Sequence, residues 1–371
     1  MCWPSMFNPC CGVQIGKIIN GQTSNACYLT RLYVDTENKT TKNLQNCLNL
    51  NKLSFSQLSG RGNNWSCGFN CNKSVDDLIL QINGFLEVDC SIDGILVLHS
   101  IGTGSGLGSR LVQELRNNYP KNISPFITGE TTLQHYNTVL TLGWMQKYSD
   151  SIILFQNEKI FNKLSKRNKF NKPNQIDLQN INLHIKSSIE NLFKPIFNDV
   201  KNLEYFDGFD YLINLNPISE LKFNEAESLE LDEFDRWEDI TSQLISTLNL
   251  KSKVYGAQLI TRTNTFESQF QFQKTLNFKK LREHLKPVYE PENSLMLLYS
   301  LNQEKTDHNS LTLVKNSNEI INYLEEVNRK GNLIFKSKAF LHWYQKYGEI
   351  ESDLEDSFEV LESVIENYKF Y

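Results

Sequence analysis

The sequence predicts an α/β fold with a parallel sheet, because short apolar runs alternate with stretches of helical periodicity in its first half. The apolar runs have the length of buried strands and lie at residues 29–34, 94–98 and 151–155. Between them, residues 74–88 and 108–118 place apolar side chains at helical spacing. Alternation of this kind is typical of doubly wound sheets, which bind ligands beyond the carboxyl ends of their strands.

The rest of the chain predicts a connecting helix and a second α/β region. Apolar residues recur at helical intervals through residues 181–192, after a polar stretch at 164–182. Short apolar runs at 253–260, 294–301 and 311–314 then favour further strands. From about residue 336 to the end the pattern is helical.

The composition argues for a folded protein and against a nucleic-acid partner. The chain has 371 residues, of which 40% are hydrophobic and 11% aromatic, so it can bury a sizeable core. Its formal net charge is -5, and the Lys and Arg residues are scattered rather than clustered. Nucleic-acid binding requires a basic surface, which this pattern does not provide.

Cysteine usage and hydropathy predict a cytoplasmic protein. All 8 cysteines fall at or before Cys90, and Cys67 with Cys71 has no nearby histidine or second pair to complete a zinc site. We therefore expect reduced thiols. There is no apolar segment of about 18 residues and no secretory leader, so we expect neither membrane insertion nor secretion.

A glycine-rich loop is the first candidate binding site. Residues 102–108 read Gly-Thr-Gly-Ser-Gly-Leu-Gly and connect the apolar run ending at Leu98 to a helical stretch beginning at Arg110. Closely spaced glycines let the backbone approach an anion, and the first amides of a helix point at it. The Gly-Lys-Ser/Thr ending of a P-loop is missing, and the spacing does not fit the dinucleotide fingerprint. A tight turn without a ligand is the alternative.

Further segments, in the same order, resemble the tubulin and FtsZ superfamily. Residues 11–16 read Cys-Gly-Val-Gln-Ile-Gly, residues 62–65 read Gly-Asn-Asn-Trp, and residues 338–344 read Lys-Ala-Phe-Leu-His-Trp-Tyr. Within the family, the segments around residues 128–137 and 356–368 look most like the delta-tubulin subfamily. The resemblance covers nearly the whole chain. It implies a nucleotide-binding domain at 1–177, a central helix at 178–200, an intermediate α/β domain at 201–325 and a C-terminal helical region at 326–371.

The resemblance also implies a site for GTP or GDP with magnesium. Amide side chains can complement the guanine edge, and carboxylate oxygens suit Mg²⁺, here through water. The implied residues are Gly102, Thr103, Gly104, Gly62 and Asn63 at the phosphates, Cys11 and Gln14 beside phosphates and base, Glu130 at the ribose, Asn157 and Asn182 at the guanine edge, and Asp35 and Glu37 near the metal. For Asp35 and Glu37 alone, and for any single asparagine, an exposed surface turn or loop is the commoner explanation, and only the joint order of the motifs favours the site.

The sequence departs from the family at several places. Residues 11–35 are too few for the usual first helix and loop, and residues 1–9 make a poor first strand. The Ser-Ile-Gly of residues 100–102 lacks glycines that the family places before the threonine, and Leu178 replaces an aromatic that stacks on guanine. These departures weaken the expected phosphate and base contacts.

Hydrolysis in this family needs an acid supplied by a neighbouring subunit, within hydrogen-bond reach of the attacking water. By resemblance Asp210 keeps the loop aspartate, whereas Ile213 takes the position of the catalytic glutamate of alpha-tubulin, with Glu220 as an alternative acid. We therefore expect GTP binding with weak or absent self-stimulated hydrolysis.

The resemblance implies a cytoskeletal protein of centrioles or basal bodies that serves the formation or maintenance of triplet microtubules, with other tubulins as partners. Another specialised tubulin (epsilon or zeta), a GTPase that polymerises alone, and a tubulin-fold scaffold without nucleotide are the alternatives. Two details remain outside the site in this interpretation. His342, Trp343 and Tyr344 are expected to form a buried helical face, and His99 to be a packing residue at a strand end.

Overall fold

The computed structural model describes residues 5–7, 31–33, 63–70, 72–88, 94–102, 104–119, 122–129, 135–167, 176–193, 212, 214–231, 236–265, 272–288, 295–301 and 309–371. Contacts group the chain into two compact units. The first unit comprises Met1–Ile160 and Ile321–Tyr371, and the second comprises Phe161–Ile320.

A parallel sheet organises the first unit. Its strands are β1 (Ser5–Phe7), β2 (Arg31–Tyr33), β3 (Gly94–Ser100), β4 (Asn122–Gly129) and β5 (Ile152–Gln156). β1 pairs with β2 on one side and β3 on the other, β4 follows β3, and β5 follows β4, all in parallel. β3 is buried along its whole length, which explains its apolar run from Gly94 to Leu98.

Helices complete the first unit. They are α1 (Trp65–Phe69), α2 (Asn72–Val88), α3 (Ser105–Asn118), α4 (His135–Tyr148), the start of α5 (Asn157–Arg167), α9 (Ile320–Lys336), α10 (Leu341–Gln345) and α11 (Glu351–Phe370). α4 is buried almost all round and packs against α11. Gly143 makes this contact close, because a Cβ built there would lie 2.8 Å from the Cβ of Ser357. An ion pair between Lys147 and Asp356 lies beside it.

The second unit has a mixed sheet. Its elements are α6 (Leu178–Phe193), β6 (Phe223–Glu230), α7 (Trp237–Thr247), β7 (Val254–Thr263), α8 (Leu276–His284), β8 (Leu295–Leu301) and β9 (Ser310–Ser317). β9 pairs antiparallel with both β6 and β7, and β7 pairs in parallel with β8. The apolar side chains of α7 and α8 pack on this sheet around the fully buried Phe272.

The predicted α/β class is confirmed, and each predicted strand and helix in the first half has a counterpart within a few residues. Residues 1–9, expected to make a poor first strand, contribute the three-residue strand Ser5–Phe7, which pairs on both sides. The division of the chain into four domains stays a prediction.

Candidate functional site

The carboxyl ends of the parallel strands locate the candidate site. β1 forms the point at which the strand order reverses, since the chain builds β2 on one side of it and β3 on the other. In open α/β sheets, ligands bind in the crevice beyond such a reversal. The glycine loop directly follows β3 and therefore lies at this crevice.

Gly104 turns the chain from the loop into α3. It is the N-cap residue of α3, with φ 82° and ψ 0°, a left-handed conformation that an L side chain adopts only with strain. The Ser105 amide donates to the carbonyl of Gly102 at 3.2 Å, and the Gly108 amide donates to Gly104 at 3.0 Å. The helix therefore begins immediately after the loop and aims its amino-terminal end, where anions are favoured, at the loop.

Gly106 allows a close backbone contact, whereas Gly104 allows a left-handed turn. A Cβ built on Gly106 would lie 1.8 Å from the carbonyl oxygen of Trp65 and 2.8 Å from the backbone nitrogen of Phe69. Gly68 makes a similar close approach from the opposite side, since a Cβ built on it would lie 2.8 Å from the backbone nitrogen of Leu107. These glycines let α1 and the first turn of α3 touch through their backbones.

Trp65 anchors this contact between α1 and α3. Its side chain is fully buried, and its indole Nε1–H donates to Ser109 Oγ on α3 at 3.1 Å. The ring stacks on Phe69 with centroids 4.3 Å apart and meets Trp144 edge-on at 5.1 Å. Asn64 caps α1, since its Oδ1 accepts from the Cys67 amide at 3.1 Å. The Asn-Asn-Trp segment is therefore held rigidly beside the glycine loop.

The hydroxyl of Ser105 bears on whether this arrangement suits a phosphate. The residue is 1% exposed, and among the described residues its Oγ has no hydrogen-bond partner. A buried hydroxyl without a partner costs about 1–3 kcal/mol, so a bound acceptor at the loop would recover that energy. A left-handed glycine, a helix amino terminus and a donor without a partner fit a phosphate group.

His99 is buried at the end of β3. It is 1% exposed, and its Nδ1–H donates to the carbonyl oxygen of Ser100 at 3.2 Å. Burial lowers the pKa of His99 to about 4, and this effect outweighs the opposing one of the Ser100 hydrogen bond. The imidazole is therefore neutral near pH 7, and its predicted role as a packing residue at the strand end is confirmed.

The two asparagines expected at the guanine edge are both buried. Asn157 is the first residue of α5, directly after β5, and is 7% exposed. Its position at the carboxyl end of a strand neighbouring β4 agrees with a ligand-facing role. Asn182 lies in the second turn of α6 in the second unit and is 4% exposed. Leu178, at the start of α6, is 56% exposed.

Several predicted residues lie outside the described residues, so their placement stays a prediction. These are Cys11, Gln14, Asp35, Glu37, Gly62, Thr103, Glu130, Asp210 and Ile213. In the sequence, Cys11 and Gln14 follow β1, Asp35 and Glu37 follow β2, and Glu130 follows β4. Asn63 is described: it is exposed, has φ 54°, and directly precedes the cap of α1.

The expectation of a buried His-Trp-Tyr face is wrong. His342 and Trp343 are exposed, Trp343 by 52%, and Tyr344 is half-buried, whereas Leu341 is the buried residue of α10. The reason is local: α10 is a short helix that begins after Phe340, which has φ 60° and is 66% exposed. A helix so short buries a single side chain and leaves the others to solvent or to neighbouring backbone.

Sequence reasoning missed two residues that build the site. Gly106 belongs to the same motif as Gly104, but its close approach to Trp65 is a tertiary contact. Asn137 on α4 is fully buried, and its Oδ1 accepts the Trp65 amide hydrogen at 3.1 Å. The only signal for Asn137 is its place in a Tyr-Asn pair within a segment that resembles tubulins.

A parallel sheet with a glycine loop that leads into a helix at its carboxyl edge is typical of nucleotide-binding α/β proteins. Residues 10–165 match the family model described as Tubulin/FtsZ family, GTPase domain. Within these residues the chain is similar to the tubulin and FtsZ GTPase domain, whose ligand is a guanine nucleotide.

Relatives that match over most of the chain show the same similarity. The chain is 26% identical to the tubulin delta chain of Mus musculus over 362 residues, covering 85% of this chain and 79% of that protein. It is 25% identical to the tubulin delta chain of Homo sapiens over 361 residues, with the same coverage. It is 28% identical over 341 residues to the nucleomorph tubulin gamma chain of Guillardia theta, covering 83% of this chain and 76% of that protein.

In the described part of the chain, no helix is long and apolar enough to cross a membrane.

Proposed function

We propose that this chain is a GTP-binding cytoskeletal protein of the delta-tubulin type, which serves centriole or basal-body assembly and the formation or maintenance of triplet microtubules. The likeness to delta chains from mouse and human supports the subfamily. The observation that carries the nucleotide role is the glycine loop, with left-handed Gly104 and the buried Ser105 hydroxyl at the amino end of α3.

In this proposal the backbone of Gly102 and Gly104 and the hydroxyls of Thr103 and Ser105 hold the phosphates. Asn157, buried after β5, reads the guanine edge through its amide, which offers a donor and an acceptor together. Asp35 and Glu37 hold magnesium through water. Glu130 would contact the ribose, and Asn182 would contact the guanine edge.

Hydrolysis is proposed to be weak or absent. Ile213 replaces the acid that positions or activates water in alpha-tubulin, and an aliphatic side chain cannot accept a proton. Bound GTP would then act as a structural ligand that stabilises the fold by its binding energy.

Other tubulins are the proposed partners, at a centriole or basal body within the cytoplasm. An exposed aromatic surface supports protein contact: Phe340, Trp343 and Tyr347, on and beside α10, are 66%, 52% and 47% exposed. Lys346 lies over the Trp343 ring with its Nζ 5.0 Å from the centroid. Exposed aromatic side chains are enriched at protein interfaces.

Nucleotide binding by the purified protein tests the site. We would measure the affinity for a fluorescent GTP analogue with magnesium, use ATP as competitor, and compare the parent with Thr103→Ala/Asn157→Ala. Selective GTP binding by the parent that weakens at least about 100-fold in the double variant supports the proposal, since each deletion removes a contact worth roughly 1.5 kcal/mol.

Asn162→Ala is the matched control, because Asn162 is an exposed asparagine on the same helix as Asn157. It should bind GTP like the parent. A folded parent that binds no guanine nucleotide would refute the proposal and favour the scaffold. Imaging of the tagged protein in ciliated cells tests the cellular role, and absence from centrioles and basal bodies would contradict it.

A further inference from the structure

Asn137 connects parts of the chain that are far apart in sequence. It lies on α4, is 0% exposed, and uses both ends of its side-chain amide. Oδ1 accepts from the Trp65 amide at 3.1 Å and from the Tyr344 hydroxyl at 2.9 Å. Nδ2 donates to the Asn63 carbonyl oxygen at 2.9 Å. One side chain therefore holds the backbone on both sides of Asn64.

The chemistry of the partners fixes the orientation of this amide. A backbone N–H can only donate, so the atom facing Trp65 must be the oxygen, and a carbonyl can only accept, so the atom facing Asn63 must be the nitrogen. Leucine would satisfy neither partner, and an ionised aspartate would place an oxygen against the Asn63 carbonyl. Asparagine is the residue of this length that serves both.

The held segment is the one that lies beside the phosphate loop. Trp65 presses its carbonyl against Gly106 in the first turn of α3, so a shift of the Trp65 backbone changes the space at the amino end of that helix. Asn63 has φ 54°, a left-handed conformation that asparagine adopts more readily than most other residues. The Asn137 amide holds the Asn63 carbonyl in this conformation.

The C-terminal segment contacts both ends of α1. Asn64 Nδ2 donates to the Trp343 carbonyl at 2.9 Å, and Asn70 Nδ2 donates to the Tyr347 carbonyl at 2.7 Å. Tyr344 packs edge-on against Tyr136 with centroids 5.4 Å apart. Burial, and secondarily Tyr136, raises the pKa of Tyr344, so its hydroxyl stays protonated and keeps donating to Asn137.

We propose that Asn137 is a positioning residue of the nucleotide site, which sets the backbone of Asn63 and Trp65 beside the glycine loop and links it to Tyr344 of α10. This inference rests on the proposed GTP binding. It assigns no contact between Asn137 and nucleotide. It makes GTP affinity depend on a donor at the Asn137 Nδ2 position and, more weakly, on the Tyr344 hydroxyl.

GTP affinity of Asn137→Asp as a function of pH tests this inference. An ionised aspartate keeps the acceptor for Trp65 but loses the donor to Asn63, so binding at pH 8 should be about tenfold weaker than in the parent. Burial raises the pKa of such a carboxyl, and its protonated form regains an O–H donor. The affinity ratio of variant to parent should therefore recover as the pH falls towards 5, and a structural defect alone would not show this rescue.

Thr141→Val is the matched control, one turn further along α4. Thr141 is 0% exposed, and among the described residues its Oγ1 has no hydrogen-bond partner, so the change removes a buried hydroxyl without removing a link. It should leave GTP affinity unchanged at every pH. Tyr344→Phe keeps the ring and deletes the hydroxyl bond to Asn137, and should weaken GTP binding by about threefold.

The outcomes separate the two proposals. A parent that binds no GTP refutes the proposed function, and this inference falls with it. A parent that binds GTP, with Asn137→Asp equally tight or weakened without recovery at low pH, overturns the inference alone. If Asn137→Asp does not fold, the Tyr344→Phe variant decides instead. Unchanged GTP affinity in Tyr344→Phe would overturn the proposed link between Asn137 and α10. Amide hydrogen exchange at Trp65, faster in Asn137→Asp at pH 8 than in Thr141→Val, reports the positioning directly.

Discussion

Gly106→Ala should destabilise the first unit strongly, because the added methyl group has no space. Its Cβ would lie 1.8 Å from the Trp65 carbonyl oxygen, 2.7 Å from the Trp65 carbonyl carbon and 2.8 Å from the Phe69 nitrogen. All three are backbone atoms, which cannot rotate away as a side chain would. Restoring an ordinary contact of about 3.4 Å requires α1 and α3 to separate by roughly 1.6 Å.

The expected loss in the free energy of unfolding is about 3 kcal/mol. Overpacking in a well-packed interior costs about 1–3 kcal/mol when side chains can adjust, and here only helix displacement relieves the clash. The displacement would also strain the Trp65 hydrogen bonds to Ser109 and Asn137. Alanine favours a helix over glycine by roughly 0.5–1 kcal/mol, which offsets only part of the loss.

Gly84→Ala is the matched control for this experiment. Gly84 lies within α2, and a Cβ built on it would have nothing within 4 Å. The substitution should therefore stabilise the protein by roughly 0.5–1 kcal/mol through helix propensity alone. Urea unfolding followed by circular dichroism measures both variants, with hydrogen exchange of α1 to locate the change. A Gly106→Ala variant as stable as the parent, with α1 still protected, would refute the close approach of α1 and α3.

Three further outcomes follow from packing and protonation. His99 has a pKa near 4 in the folded state against 6.5 in the unfolded state, so part of the stability at neutral pH is lost as the pH falls below 6.5. In urea titrations, the free energy of unfolding should fall by about 2 kcal/mol more in the parent than in His99→Gln between neutral pH and pH 5. Equal pH profiles of the two proteins would contradict this. Gly143→Ala should lose about 1–3 kcal/mol against Ser357, whose Cβ would be 2.8 Å away, and a double-mutant cycle with Ser357→Gly should show coupling. Trp65→Phe should lower the free energy of unfolding by about 2–3 kcal/mol in the same titrations, whereas the 52% exposed Trp343 should tolerate phenylalanine within about 0.5 kcal/mol.

Local patterns predict the buried strands and the long helices, because each carries its own periodicity. β3 is apolar from Gly94 to Leu98, and α3 follows a loop whose glycines mark the turn. β2 (Arg31–Tyr33) lies within the apolar run predicted at residues 29–34, whereas β1 spans only Ser5–Phe7, too short for a recognisable pattern. What defines β1 as a strand is its pairing with both neighbours, which the sequence of the segment does not contain.

The error at His342 and Trp343 has the same origin. Helical spacing over residues 338–344 favours one continuous buried face, but Lys338 and Phe340 adopt φ values of 51° and 60°. Left-handed residues interrupt a helix and redirect the side chains that follow. Nothing in the residue types indicates these conformations, since neither lysine nor phenylalanine favours them.

The candidate site divides into parts that a sequence can and cannot reveal. Gly104 is predictable because left-handed turns require glycine locally. Gly106 and Asn137 act through contacts with Trp65, which precedes them by 41 and 72 positions in the chain, and a pairing over such distances leaves no local signature.

These contacts also give a physical reason for the order of the motifs that resemble tubulins. The Asn-Asn-Trp segment, the glycine loop, the Tyr-Asn pair of α4 and the start of α10 look independent in the sequence, yet Trp65 touches Gly106, Asn137 binds Trp65, and Tyr344 binds Asn137. A change in one member leaves a clash or an unpaired buried polar group in another, which costs about 1–3 kcal/mol. The segments therefore constrain one another as a single packed assembly. Loss of the loop glycines before Gly102 leaves this assembly intact, because the close contact with α1 depends on Gly106 and Gly68.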